Sequence, residues 1–332
     1  MDITCGYYVK GTVLLGIQGG CSKQEQKRKS YVSGHMRFQV SIYTNLLILR
    51  QNATIMILCT PVKAEDCGFS VSLEDRILVL GSCFADNIGA RMSAAGFNVC
   101  INPFGTLYNP ASVWSALSRL DTAEPFAEDE CVEMGAGAGL ICSFSHHTSF
   151  ARPTVQEFLD NANKKLADAA AFWRGCNKLI ITFGTAMVWR HDGIVVSNCL
   201  KLPAKEFTHE MLSVAEIKDY IGCIESLGKD CLFTVSPIRH LSQGAHANTI
   251  SKAALQIAIA DMESAYFPSY EILLDELRDY RFFADDMCHP TSLAVDIIWE
   301  RFVGAAVPEE QLPILRANEK AARRAAHRNI LK

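Results

Sequence analysis

Four short stretches of this chain are apolar almost without interruption: Arg76–Leu80 (RILVL), Phe97–Ile101 (FNVCI), Lys178–Phe183 (KLIITF) and Cys231–Val235 (CLFTV). A strand with one wet face alternates apolar and polar residues. A strand that is apolar throughout is buried on both faces, as in parallel sheets covered by helices. Segments with helical pattern follow or separate these runs: Ala85–Ala95, Pro110–Leu120, Val155–Arg174, Ala247–Ala265, Thr291–Val303, and a terminal helix from Glu309 to near Arg328. A fifth strand is placed at Asp279–Phe283. This alternation predicts an α/β layered fold around a central parallel sheet. Asn109 before Pro110, and His289 before Pro290, mark helix starts.

The pattern divides the chain of 332 residues unequally. Residues 1–55 lack it and read as a poorly structured extension, with Met56 a candidate native start. Residues 56–305 read as one domain with insertions, of which Asp121–Phe150, with its MGAGAGL, is loop-rich. Residues 306–332 form a C-terminal helix whose basic cluster reads as a solvated face. The net charge of −4 gives no footprint for nucleic acid. No apolar run is long enough to cross a membrane, and the apolar part of GTVLLGIQGGC is short for an export signal. The 13 cysteines are scattered, without a C-x-x-C pair or a zinc spacing. They read as reduced thiols of a cytoplasmic protein. His146 and His147 are adjacent and point apart, so no metal or other cofactor is expected.

In open α/β sheets ligands bind beyond the carboxyl ends of the strands, so the residues that follow each strand deserve inspection. Ser82 and Cys83 follow the first strand at the start of a helix, where unpaired N–H groups favour developing negative charge. Ser82 in that place is either a nucleophile or a plain helix cap. Gly105 and Gly184 follow later strands, where a glycine N–H can face a substrate oxygen or simply make a turn. Asp286 and His289 sit three residues apart before a helix. A carboxylate there can fix the tautomer of the imidazole and leave its other nitrogen as a base, or the two can merely cap the helix. Arg239 and His240, in SPIRH, are candidates for holding a substrate or forming an internal ion pair. Trp189, close behind Gly184, reads as core rather than pocket lining.

The motif GSCFADNIG resembles the signature of the GSCFA-domain family within the SGNH (GDSL-like) hydrolase superfamily. The blocks NPFGTLYNP, ITFGTAMVW, NCLKLPAKEF, SPIRH, YFPSYEILLDELRDYRF and DDMCHP are similar to that family's blocks in the same order, from about Thr60 to Phe302. The resemblance implies a flavodoxin-like three-layer α/β/α sandwich. It implies Ser82 as nucleophile, Gly105 as oxyanion glycine, and Asp286 and His289 as the rest of a triad. On this reading Cys83 turns toward the sheet as a small apolar filler. The superfamily's usual oxyanion asparagine is missing, because Ala186 stands in its place. Asn198, His147, Arg239 and His240 are the polar candidates to substitute for it.

The implied activity is a serine esterase working through an acyl-enzyme without metal or cofactor, on a small-molecule or O-acylated saccharide substrate. An acyltransferase using the same site is the nearest alternative, and a non-catalytic binding module with the same fold is the alternative that Ala186 motivates.

Overall fold

The computed structural model describes residues 7–9, 55–57, 59–64, 67–262 and 264–330. Five parallel strands form its centre: β3 (Arg76–Gly81), β4 (Asn98–Ile101), β7 (Lys178–Phe183), β11 (Asp230–Val235) and β12 (Ala265–Tyr266). Their spatial order is β4-β3-β7-β11-β12. Counted along the chain this is 2-1-3-4-5, the order of flavodoxin-like doubly wound sheets, and its switch point lies between β3 and β7.

Alternation along β3 sends successive residues to opposite faces. Leu78 and Leu80 join Leu179, Ile181, Phe183, Phe233 and Val235 in one core, under helices α2 (Pro110–Thr122), α3 (Val155–Trp173), α4 (Val214–Glu225) and α5 (Gly244–Ala260). Ile77 and Val79 join Ile180 and Leu232 in a second core, under α1 (Cys83–Ala95), α6 (Ser292–Ala306) and α7 (Leu312–Ile330). Burying each of these large side chains contributes about 1.5–3 kcal/mol, which is why three of the apolar runs become the sheet centre, while the fourth, β4, is a partly exposed edge.

The helix ends follow local chemistry. The Asn109 side chain accepts from the Ser112 N–H with Pro110 in the first turn, Thr291 accepts from the Ala294 N–H, and α1 stops at Gly96, with φ 98°. The basic stretch of α7 is a solvated face: Arg316, Lys320, Arg323 and Arg324 are exposed, while Leu315 is buried and Asn318 donates to the Ala95 carbonyl.

Two expectations are corrected. The run Asp279–Phe283 is not a strand. Asp279 accepts from the Arg281 N–H and folds Tyr280–Phe282 into a 3-10 turn, and the fifth strand is the two-residue β12, too short to carry a pattern. Not every cysteine is a free thiol either: ten among the described residues are, but Cys59 is disulfide-bonded, which no spacing announced.

A second sheet was not expected. Strands β8 (Met187–His191), β9 (Ile194–Val196) and β10 (Phe207–Met211) pair antiparallel in the order β10-β8-β9. Residues 121–150 are loop-rich as expected, with only the short pair β5 (Val132–Glu133) and β6 (Ile141–Cys142). In the extension, β1 (Tyr7–Val9) pairs with β2 (Ile55–Ile57); the other calls on residues 1–54 lie outside the described residues. Among the described residues no helix is long and apolar enough to cross a membrane.

Candidate active site

The turn after β3 is held tightly. Gly81 has φ 139°, a conformation that suits glycine. Its N–H donates to Asn102 Oδ1 at 2.8 Å and its carbonyl accepts from the Leu107 N–H at 2.9 Å. Asn102 in turn donates to Asp86 at 2.6 Å. The next two residues diverge. Ser82 is 0% exposed; its Oγ lies 3.0 Å from Ser236 Oγ and accepts the Phe84 N–H at 3.3 Å. Cys83 rests partly on the core beneath α1 but also lines a cleft, with its sulfur 3.6 Å from the Tyr108 hydroxyl. The expectation that its side chain turns wholly toward the sheet is therefore corrected.

The cleft, of about 330 Å³, opens beyond the carboxyl ends of β3, β7 and β11 and is lined by Cys83, Tyr108, Trp189, Arg239, His240 and His289 among others. His289 enters from the loop before α6. Its Nδ1 lies 2.5 Å from Asp286 Oδ2, and the other Asp286 oxygen accepts the Cys288 and His289 N–H groups at 2.9 Å. Those hydrogen bonds, the two backbone ones first, hold the Asp286 carboxyl down at about 2. The carboxylate stays ionised and keeps the proton on Nδ1, so Nε2 is left to accept one.

Arg239 braces this loop. Its guanidinium lies 3.9 Å from the Phe283 ring centre, and its backbone N–H donates to the Cys288 carbonyl at 3.1 Å.

Behind the cleft wall sits Lys252, 2% exposed. Its Nζ donates to the Gly184 carbonyl at 2.5 Å and the Ser236 carbonyl at 2.7 Å, pinning the ends of β7 and β11 together. Burial pulls this amine from 10.5 down to about 7. Between those two values the unfolded chain holds a proton that the folded chain lacks, so stability rises with pH across the window and this contribution is flat below it. Urea melts from pH 7 to about 10 should show wild type gaining on Lys252→Met by up to about 1.4 kcal/mol per pH unit. Equal slopes in the two proteins would refute the assignment.

The GSCFA family model matches residues 76–302, more than half of the chain. The chain belongs to the GSCFA family. No curated protein and no solved structure matches it. The matched region begins at the first residue of β3 and ends within α6, so it takes in the whole parallel sheet and the cleft.

Within this GSCFA domain the expected site residues separate into two groups. His289, Arg239 and His240 line the cleft, and Asp286 is hydrogen-bonded to His289. The others have different work. The Gly105 N–H donates to the Asn102 carbonyl, and the Gly184 N–H to the Tyr108 carbonyl, so neither is free for a substrate oxygen. His147 bonds to Ser149, and its Cβ packs against Gly105. Ala186 is buried and its N–H donates to Ser251 Oγ. Asn198 accepts the Leu200 N–H at 2.8 Å and does not line the cleft. Turnover in Asn198→Ala should accordingly stay within about threefold of wild type, far from the hundred- to thousandfold loss of an oxyanion donor; a loss of that size in an ester assay would put Asn198 back in the site.

His146 is sealed among Phe104, Phe126, Phe150 and Phe158, and burial drives it down to about 3. It is a neutral core residue.

Sequence reasoning missed Tyr108 and placed Trp189 in the core, and both line the cleft. Tyr108, in NPFGTLYNP, has its hydroxyl against Cys83 and Thr106, and burial pushes it up to about 12, keeping the proton on. Trp189 is 39% exposed in the cleft, its ring 4.1 Å from that of His209; the expectation that it is core is corrected. The signal for its strand was present as Asp192–Gly193, a two-residue hairpin turn with both φ positive.

Proposed function

We propose that this GSCFA chain is an SGNH-type ester hydrolase that works through an acyl-enzyme, with the Asp286–His289 pair as its base. The observation that carries the reading is that pair: a hydrogen-bonded Asp–His dyad facing a cleft that also receives the turn at the sheet's switch point. The 2-1-3-4-5 strand order, with helices on both faces, supports the finer assignment to the SGNH three-layer sandwich. His289 Nε2 takes the proton from a nucleophile in the Gly81–Cys83 turn as it attacks the ester carbonyl, then returns it to the leaving alcohol. His240, neutral because burial holds it at about 4, and the protonated Tyr108 supply polar contacts without adding charge.

The exposed face of Trp189 is an apolar platform in a cleft of mixed lining, beside the polar groups of His209, Arg239 and His240. It suits the C–H face of a sugar ring, and so an O-acylated saccharide. Transfer of the acyl group to a second alcohol would use the same steps, with that alcohol replacing water.

One observation favours a non-catalytic binding module instead: the N–H groups of Gly105 and Gly184 are both engaged, so the expected oxyanion hole is not formed by them. A panel of p-nitrophenyl acyl esters and acetylated sugars separates the readings. Release of alcohol that saturates with substrate supports the enzyme. Saccharide binding without any release supports the module.

A further inference from the structure

We infer that the residue acylated in this cleft is Cys83, not Ser82; the inference rests on the acyl-enzyme reading above. The two side chains leave the same turn with different surroundings. Ser82 Oγ is spent on the floor of the fold. It caps α1 through the Phe84 N–H and meets Ser236 Oγ, which itself accepts the Ile238 N–H. Ser236 is also fully buried, and its carbonyl is one of the two that Lys252 holds. A Ser82 hydroxyl that attacked a substrate would have to abandon this network, and its hydrogen-bond neighbour is another hydroxyl rather than a base.

Cys83 has what Ser82 lacks. It lines the cleft together with His289. Its sulfur contacts the Tyr108 hydroxyl, which also contacts Thr106 Oγ1 at 3.2 Å, so an O–H is already oriented in the neighbourhood of the reacting atom. Cys83 is the first residue of α1, and among the described residues no acceptor takes its N–H, in contrast to the N–H groups of Ser82, Phe84 and Ala85 on either side. A free N–H beside the nucleophile is where an oxyanion can be bound.

The step balances with ester and water alone. The thiol proton passes to His289 Nε2 as the sulfur–carbon bond forms and the carbonyl pair moves to oxygen. Collapse of that tetrahedral adduct breaks the carbon–oxygen bond, and the alcohol leaves with the proton from His289. Water then attacks the thioester with His289 as base, the sulfur–carbon bond breaks, and the proton returns to the thiol.

The test is acid-quenched trapping of full-length protein with a p-nitrophenyl acyl ester, followed by mass mapping of the peptide that contains both residues. The discriminating reagent is neutral hydroxylamine, which cleaves thioesters and spares oxygen esters. The expected result is an adduct released by neutral hydroxylamine, present in Ser82→Ala, absent in Cys83→Ala, and ester turnover at least about a thousandfold lower in Cys83→Ala. A hydroxylamine-resistant adduct that disappears in Ser82→Ala and persists in Cys83→Ala would overturn the inference while leaving the esterase reading intact. Should Ser82→Ala not fold, the hydroxylamine result on wild type decides alone. Absence of both adduct and turnover in wild type across the ester panel would overturn the esterase reading and this inference with it.

Discussion

Replacing His289 with alanine should lower ester turnover at least about a thousandfold in a protein that still melts like wild type. On the acyl-enzyme reading proposed above, four proton transfers pass through this ring, two in forming the acyl-enzyme and two in discharging it, and general acid–base catalysis contributes about a hundred- to ten-thousandfold. The unchanged stability follows from exposure: the His289 side chain is 47% exposed and closes no core. Asp286→Asn should cost turnover on the order of a hundred- to ten-thousandfold, because an amide no longer fixes the proton on Nδ1. Its oxygen can still accept the Cys288 and His289 N–H groups, so the loop should keep its shape. The loss should therefore fall on kcat and leave KM nearly unmoved. Because the Asp286 carboxyl is held at about 2, it remains ionised above about pH 4, and any acid loss of activity there must come from elsewhere in the site. Normal turnover in folded His289→Ala would remove the dyad from the chemistry.

Gly81→Ala should be among the most damaging added methyls at the described glycines. A Cβ there would stand 2.1 Å from the Thr182 carbonyl oxygen and 2.9 Å from the Thr182 carbonyl carbon, at a φ of 139°. Thr182 belongs to β7, the strand between β3 and β11, and its backbone cannot retreat without breaking both ladders. The clash and the conformational strain together should cost more than about 4 kcal/mol, which for a domain of this size is a fall in Tm of about 8–16 °C or outright insolubility. Gly193→Ala is the control. It also has positive φ, at 80°, but nothing lies within 4 Å of the added methyl, so it should cost only about 1 kcal/mol. Similar losses in the two variants, measured by thermal melts, would show that the close approach to Thr182 does not matter.

The parallel sheet was legible because buried strands must be largely apolar on both faces, and β3, β7 and β11 are buried and almost wholly apolar over their last five residues each. β12 has two residues and no room for a pattern, while the aromatic run at 280–283 carried a strand-like composition that an Asp279 turn overrides. The α4 helix was missed although Ser213 and Glu216 form a capping box, a signal visible in the sequence. At the site, the Asp286–His289 spacing was readable because both partners lie within one short loop. The different surroundings of Ser82 and Cys83 were not. They depend on Ser236, 154 residues from Ser82, and on Tyr108, 25 from Cys83, and only the folded sheet brings those groups to the turn. The engaged N–H groups of Gly105 and Gly184 were hidden for the same reason, since a glycine after a strand looks alike whether or not its N–H is spent.

The antiparallel excursion carrying Trp189 leaves β7 and comes back at a single point, where the Leu212 N–H donates to the Ala186 carbonyl at 2.9 Å. Its two ends are thus stapled side by side, and the stretch between them is tied to the domain as well: Val188 and Leu200 are buried in the core, the Ser197 N–H donates to the Phe144 carbonyl, and the Leu200 carbonyl accepts the Gly135 N–H. Such a layout divides the labour: the groups proposed to break the bond sit in the turn after β3 and the loop before α6, while Trp189, which would meet the rest of the molecule, sits on a separate antiparallel layer whose inner residues double as core.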